Sequence, residues 1–148
     1  MLIGIDPGAT GAIAFLNNDK SLIEVVDMPT MPLSKKKNQV NAAELVRILS
    51  GVGGADVYLE RVAAMPGQGV SSMFNFGASF GVIIGVCAAL GLSVILVTPQ
   101  TWKRKAGLIG KDKDYARTIG QQLYPDAPLG RKRDCGRADA ILIARYGL

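Results

Sequence analysis

Histidine is absent from this chain. That removes imidazole as a general base, as the partner of a serine or cysteine nucleophile, and as a metal ligand. Any chemistry must run on carboxylates, lysines and hydroxyls. Cysteine is scarce: Cys87 and Cys135 make no disulfide framework. This points to a reducing, cytoplasmic setting with free thiols, Cys87 in the core and Cys135 beside the site discussed below. No leader of the signal-peptide kind opens the sequence, since Asp6 interrupts the first apolar run at once. Charge is missing altogether from residues 71–102. A membrane span needs about 20 apolar residues. Here Asn75, Gly77, Ser79, Gly81 and Gly85 interrupt the run, and Gly91-Leu92-Ser93 breaks it. The stretch reads instead as a fully buried helix followed by a buried strand over 94–97, with no membrane partner.

What is present is a 148-residue chain with 49% hydrophobic residues, enough for one α/β domain over 1–148 with a real core. Its organising stretch is Leu2-Ile3-Gly4-Ile5-Asp6-Pro7-Gly8-Ala9-Thr10-Gly11, which reads as a buried strand running into a tight turn. Asp6 is the anomaly. A carboxylate at the end of a buried strand is costly to desolvate unless a partner holds it. Two more acids sit in comparable places: Glu60 within Val57-Tyr58-Leu59-Glu60-Arg61-Val62, and Asp139 within Arg137-Ala138-Asp139-Ala140-Ile141-Leu142. The economical partner for three such acids is a divalent cation. Carboxylates without imidazole or thiolate favour a hard ion, Mg2+ or Mn2+.

Charge is unevenly placed. Residues 1–100 hold six Lys/Arg against seven Asp/Glu, net −1; residues 101–148 hold eleven against five, net +6. A basic C-terminal third suits a polyanion, nucleic acid being the commonest, or is simply a soluble basic face.

Along the chain, residues 2–6, 11–17 and 21–27 read as three successive strands, and 28–38 as a loop carrying Lys35-Lys36-Lys37. Those lysines are a solvated tip or a phosphate contact. Asn41-Ala42-Ala43-Glu44 is a capping box for a short helix ending near Leu49. A strand over 55–62 carries Glu60. A long helix spans 71–91, with Gly77, Gly81 and Gly85 on one face. That smooth ridge permits close approach, by the domain's own sheet or by the same helix of a second subunit. The strand over 94–97 ends at Thr98-Pro99-Gln100-Thr101. Helices follow over 114–123 and 136–146, separated by a basic loop with Arg131-Lys132-Arg133.

In this order the motifs resemble those of the RuvC-type Holliday junction resolvases, phage-like branch. They are Ile5-Asp6-Pro7-Gly8 with Gly11, Leu59-Glu60-Arg61-Val62, the glycine ridge, Pro99 with Trp102-Lys103, and Arg137-Ala138-Asp139-Ala140-Ile141-Leu142-Ile143-Ala144. The resemblance implies a ribonuclease-H-like fold, a mixed five-stranded sheet flanked by helices. It implies a homodimeric endonuclease of DNA recombination and repair that cuts four-way DNA junctions by paired nicks. It also implies two Mg2+ or Mn2+ ions at Asp6, Glu60 and Asp139, and Lys103 or Lys113 at a phosphate. Phosphodiester hydrolysis by two metals needs no side-chain nucleophile, which suits a chain without histidine. DNA contacts are expected from Lys103, Lys111, Lys113, Arg131, Lys132 and Arg133.

The chain departs from the family pattern in two places. Many members carry another acid three residues before the last one, where Gly136 stands here. The nearest acid, Asp134, is five residues before Asp139, off the same helical face, but on a preceding loop it can point inward as a fourth ligand. After Glu60, where members often place an aromatic, the loop offers Met65 as an apolar wedge. Three rival readings remain. One is an RNA-processing nuclease of the same fold, and another a non-catalytic module that binds branched nucleic acid. The third is an actin-like phosphate loop at Asp6-Pro7-Gly8-Ala9-Thr10-Gly11, which the lack of a second such loop disfavours.

Overall fold

The computed structural model describes all residues, 1–148. Five strands form the main sheet: β1 (Leu2–Asp6), β2 (Ala12–Leu16), β3 (Leu22–Asp27), β6 (Asp56–Glu60) and β7 (Ser93–Val97), in the order β3-β2-β1-β6-β7. The first three form an antiparallel meander, while β6 and β7 run parallel to β1. The sheet is therefore mixed, with β1 at its centre. The remaining elements are β4 (Thr30–Ser34), β5 (Lys37–Val40), α1 (Ala42–Leu49), α2 (Val70–Ala89), α3 (Pro99–Lys105), α4 (Tyr115–Leu123) and α5 (Cys135–Tyr146).

Alternation along β1 builds a core on each face. Ile3 and Ile5 point into one formed with α1 and α2, around Leu45, Leu49, Ile83 and Cys87. Leu2 points into the other, formed with α3, α4 and α5, around Trp102, Leu129, Ile141 and Ala144. Helix α5 lies so close to the sheet that a Cβ at Gly4 would sit 2.1 Å from the Ala140 carbonyl oxygen. At its first turn the helix meets the β1–β2 turn just as tightly, and a Cβ at Gly136 would lie 2.3 Å from the Thr10 carbonyl oxygen. No side chain fits at Gly136 as the backbone stands. That is why the extra acid of the resolvase pattern has no place there.

Several expectations need correction. Residues 28–38 are not a loop: β4 and β5 pair antiparallel across Thr30↔Val40 and Ser34↔Lys37. Pro32 is tolerated because β4 has only one neighbour and the register shifts beside it. Helix α3 begins directly after β7, with the Thr98 side chain accepting from the Thr101 N–H and Pro99 in the first turn. Helix α2 is not fully buried. Only Ser79, Ile83, Val86 and Cys87 are buried, and it is long and apolar enough to cross a membrane by length and composition. Strand β7 is the sheet's edge rather than a buried strand, with Ile95 and Leu96 exposed.

Candidate active site

Asp6 ends β1 and Glu60 ends β6. The two strands are parallel neighbours with Ile5 opposite Leu59, so both acids emerge from the same end of the sheet. Alternation sets their direction. Ile3 and Ile5 face α2, and so do Val57 and Leu59. Asp6 and Glu60 therefore project to the opposite, α5 side. Asp139 lies in α5 one turn beyond Gly136, where the helix rests on the β1–β2 turn. Strand pairing and two glycine contacts thus bring the three acids to one place.

The electrostatics record their proximity. Burial, and then the Glu60 charge, push Asp6 up to about 6. Burial, and then the Asp6 and Glu60 charges, push Asp139 up to about 7. Burial also raises Glu60, opposed by the Trp102 N–H and by Lys103. Protein donors do little to relieve this. Asp6 accepts one long bond from the Gly8 N–H, at 3.4 Å, and Asp139 accepts none. Lys103 and Lys113 are near enough to lower both aspartates.

The three carboxylates do not close into a ready-made ligating cluster. The fit to a metal rests instead on donor chemistry and unrelieved repulsion: three half-buried hard oxygen donors, no imidazole or thiolate among them, and no arginine paired to any. That set suits Mg2+ or Mn2+.

Asp6 and Asp139 line a cleft of about 740 Å³, edged by Lys113, Arg131, Lys132 and Arg133. Glu60 flanks this cleft without lining it. Lys111 stands apart, its ammonium 5.1 Å from the Tyr115 ring centroid, and does not influence the acids. Met65 is exposed on the loop after Glu60. Cys135 lines the cleft half-exposed, donating to the Lys132 carbonyl at 3.1 Å, and burial pushes its thiol up.

Asp134 is a correction. Its side chain is buried and bound by the Arg131 guanidinium at 2.7 and 3.0 Å and by the Arg131 N–H at 2.7 Å. Those bonds hold its pKa below the usual range, and it exerts no charge effect on Asp6 or Asp139. Asp134 borders the same cleft, but both its oxygens are committed to capping the turn before α5, so neither is free for the expected part of a fourth ligand.

Sequence reasoning placed Trp102, the only tryptophan in the chain, in a motif with Lys103 but gave it no role at the site. Its side chain is fully buried and its Nε1–H donates to Glu60 Oε2 at 2.7 Å. A buried indole needs an acceptor, and here the acceptor is a site carboxylate. The signal was available: one tryptophan in a run of lysines and arginine, just after a capped helix start. Lys103 sits next in sequence, 5.3 Å from the indole centroid. Helix α3 thus brings an N–H and an ammonium to the same acids.

No protein-family model matches the chain. A chloroplastic Holliday junction resolvase of Chlamydomonas reinhardtii, MOC1, is 33% identical over 94 residues. That match covers 62% of this chain but only 11% of the algal protein. The structure of Thermus thermophilus RuvC superposes with a TM-score of 0.61 at 18% identity, covering 96% of this chain and 89% of RuvC. RuvC in complex with a Holliday junction substrate gives 0.70 at the same identity, covering 96% and 88%. The chain has the RuvC fold. The expected ribonuclease-H-like sheet is therefore present, with the α5 side of the RuvC-like core carrying the acids.

Two outcomes test this electrostatic picture. Asp139 is protonated more readily in the folded chain than in the unfolded one. Its contribution to stability is therefore intact below about pH 4 and is lost as pH rises through about 7. Asp139→Asn, followed by thermal unfolding in chelator, should raise Tm by several degrees at pH 8 and hardly at all at pH 4. In Trp102→Phe the burial of Glu60 persists while the N–H that lowers its pKa is gone. The Glu60 titration midpoint, followed by its carboxyl carbon resonance, should move upward, and an unmoved midpoint would remove Trp102 from the site.

Proposed function

We propose that this chain is a divalent-metal-dependent endonuclease of branched DNA that resolves four-way junctions by paired phosphodiester hydrolysis. The observation that carries the reading is the mutual coupling of Asp6, Glu60 and Asp139 beside a cleft edged by basic residues. Two likenesses support it: the algal relative is named a Holliday junction resolvase, and one of the RuvC structures holds a junction substrate.

Asp6, Glu60 and Asp139 would hold the ions. Two divalent ions supply an activated water and charge stabilisation for the departing oxygen. The chain's own residues set the conditions. Asp6, which ends the central strand and is coupled to both of the other acids, would take the central part in holding the ions. Trp102 fixes one oxygen of Glu60. Lys103 and Lys113 bring cations to the acids, where a phosphate would otherwise meet three negative charges. Lys132 and Arg133 extend positive charge along the cleft. Protonation opposes cation binding, so raised carboxyl pKa values make activity fall below about pH 7.

A second copy of the chain completes the reading. Helix α2 exposes Val70, Phe74, Gly77, Ala78, Gly81 and Gly85 along one face, an uncharged stripe as long as the helix. The domain's own sheet, the alternative partner, does not reach the glycines: a Cβ at Gly77, Gly81 or Gly85 meets nothing within 4 Å, which supports the second copy. The edge strand β7 adds exposed Ile95 and Leu96. Uncharged, smooth and apolar, the face suits close helix–helix contact with its own copy.

Paired nicks in a labelled four-way junction, dependent on added magnesium and absent with a linear duplex, are the expected activity. Asp6→Asn should lower the rate by roughly two orders of magnitude or more. Junction binding without cleavage in any divalent metal would leave a binding module, and cleavage confined to folded RNA would indicate the RNA-processing enzyme. Sedimentation should give twice the 15.6 kDa chain mass. Gly81→Arg should halve that mass without changing the circular dichroism, because the single chain has open space at this position; a monomeric wild type would refute the dimer.

A further inference from the structure

Three of the four polar side chains in the first half of α2, Ser71, Asn75 and Ser79, recur every four residues, and all three bond to the β4–β5 hairpin. Lys37 Nζ donates to Ser71 Oγ, Asn75 Nδ2 donates to the Asn38 carbonyl at 3.0 Å, and the Val40 N–H donates to Ser79 Oγ at 3.4 Å. Spacing of four keeps one helical face. A hairpin bearing Lys35-Lys36-Lys37 is thereby held along its whole second strand. A lysine-rich tip that only needs to be solvated has no use for such a grip.

The hairpin's two ends lie in telling places. Its base is at the acidic cleft, where Met28 and Thr30 line the wall and the Met28 N–H donates to the Gly11 carbonyl at 3.0 Å. Five residues of strand carry the chain about 17 Å from there. Its tip is at the first turn of α2, through Lys37 and Ser71. The hairpin therefore bridges the cleft and the helix whose exposed face suits a second copy.

Its charge is of one sign. No Asp or Glu occurs from residue 28 to 43, nor from 61 to 111, which covers the hairpin, the loop after Glu60 and all of α2. None of the three lysines is in an ion pair, and Lys35 and Lys36 are exposed. The counter-charge has to come from outside the chain, and two exposed ammonium groups side by side at a tip about 17 Å from the cleft fit neighbouring phosphates of a backbone that passes both.

We propose that the β4–β5 hairpin is a second phosphate-binding surface. It holds the DNA arm that runs from the cleavage cleft along the hairpin towards the first turn of α2. This rests on the branched-DNA reading above. Lys35 and Lys36 are the contacts, and Lys37 is the residue that locks the tip to α2.

The test is Lys35→Ala/Lys36→Ala, which leaves the Lys37 anchor in place. Junction affinity would be measured by anisotropy in chelator, so that nothing is cut, over a range of salt. The wild-type plot of log affinity against log salt should lose about 1.8 from its slope in the variant, the value for two phosphates, and affinity at low salt should fall roughly tenfold. Thermal unfolding should be unchanged. If the wild type binds the junction and the variant matches it in slope and affinity, the hairpin proposal is wrong while the branched-DNA reading stands. A wild type that fails to bind the junction overturns both. A loss seen on folded RNA but not on the junction overturns the DNA assignment.

Discussion

Three carboxylates that repel one another are held at one end of a sheet, and much of the unusual local structure keeps them there. Parallel pairing of β1 with β6 sets Asp6 beside Glu60. Direct contact of α5 with bare backbone at Gly4 and Gly136 carries Asp139 in beside them. A helix held off by a methyl at either position would move Asp139 away and relieve the repulsion, along with whatever the repulsion is for. Burial and the neighbouring charges raise the pKa values of Asp6 and Asp139, a cost the fold accepts at this point. A structure that stores like charges in this way is poised to take up positive charge.

The acids were legible in the sequence because each stands where an apolar residue would be cheaper. The meander and the Asn41 cap were legible as well, since strand alternation and capping act over a few residues: the Asn41 side chain accepts from the Glu44 N–H at 3.2 Å. What could not be read locally was decided by partners far along the chain. The hairpin needs α2 to hold it, and a proline beside a lysine run masks its pairing. The absence of charge over 71–102 says that α2 avoids water, but not whether the chain itself or another copy excludes it; the open space at Gly77, Gly81 and Gly85 favours the copy. Asp134 misled because its position near Asp139 is compatible with either a ligand or a cap. The guanidinium three residues earlier decides the matter.

Apart from Arg133, which lines the cleft without an ion pair, arginine and lysine divide the work around the cleft. Arg117, Arg131 and Arg137 each grip a carboxylate with two nitrogens, on Asp114, Asp134 and Asp27. These forks shape the cleft wall, and their charge is consumed in doing so. Lys103, Lys113 and Lys132 enter no ion pair. Planar forks suit fixed construction, and mobile ammonium groups suit a ligand that must arrive and leave. The net charge of +5 therefore understates the field that a phosphate would meet, because the paired arginines and their acids cancel locally while the free lysines cluster near the acids and on the hairpin. The acids at the centre of that field are what distinguish the cleft from a simple anion site. A polyanion drawn in by the lysines would be brought against carboxylates that repel it, a conflict that a divalent cation between the two would relieve.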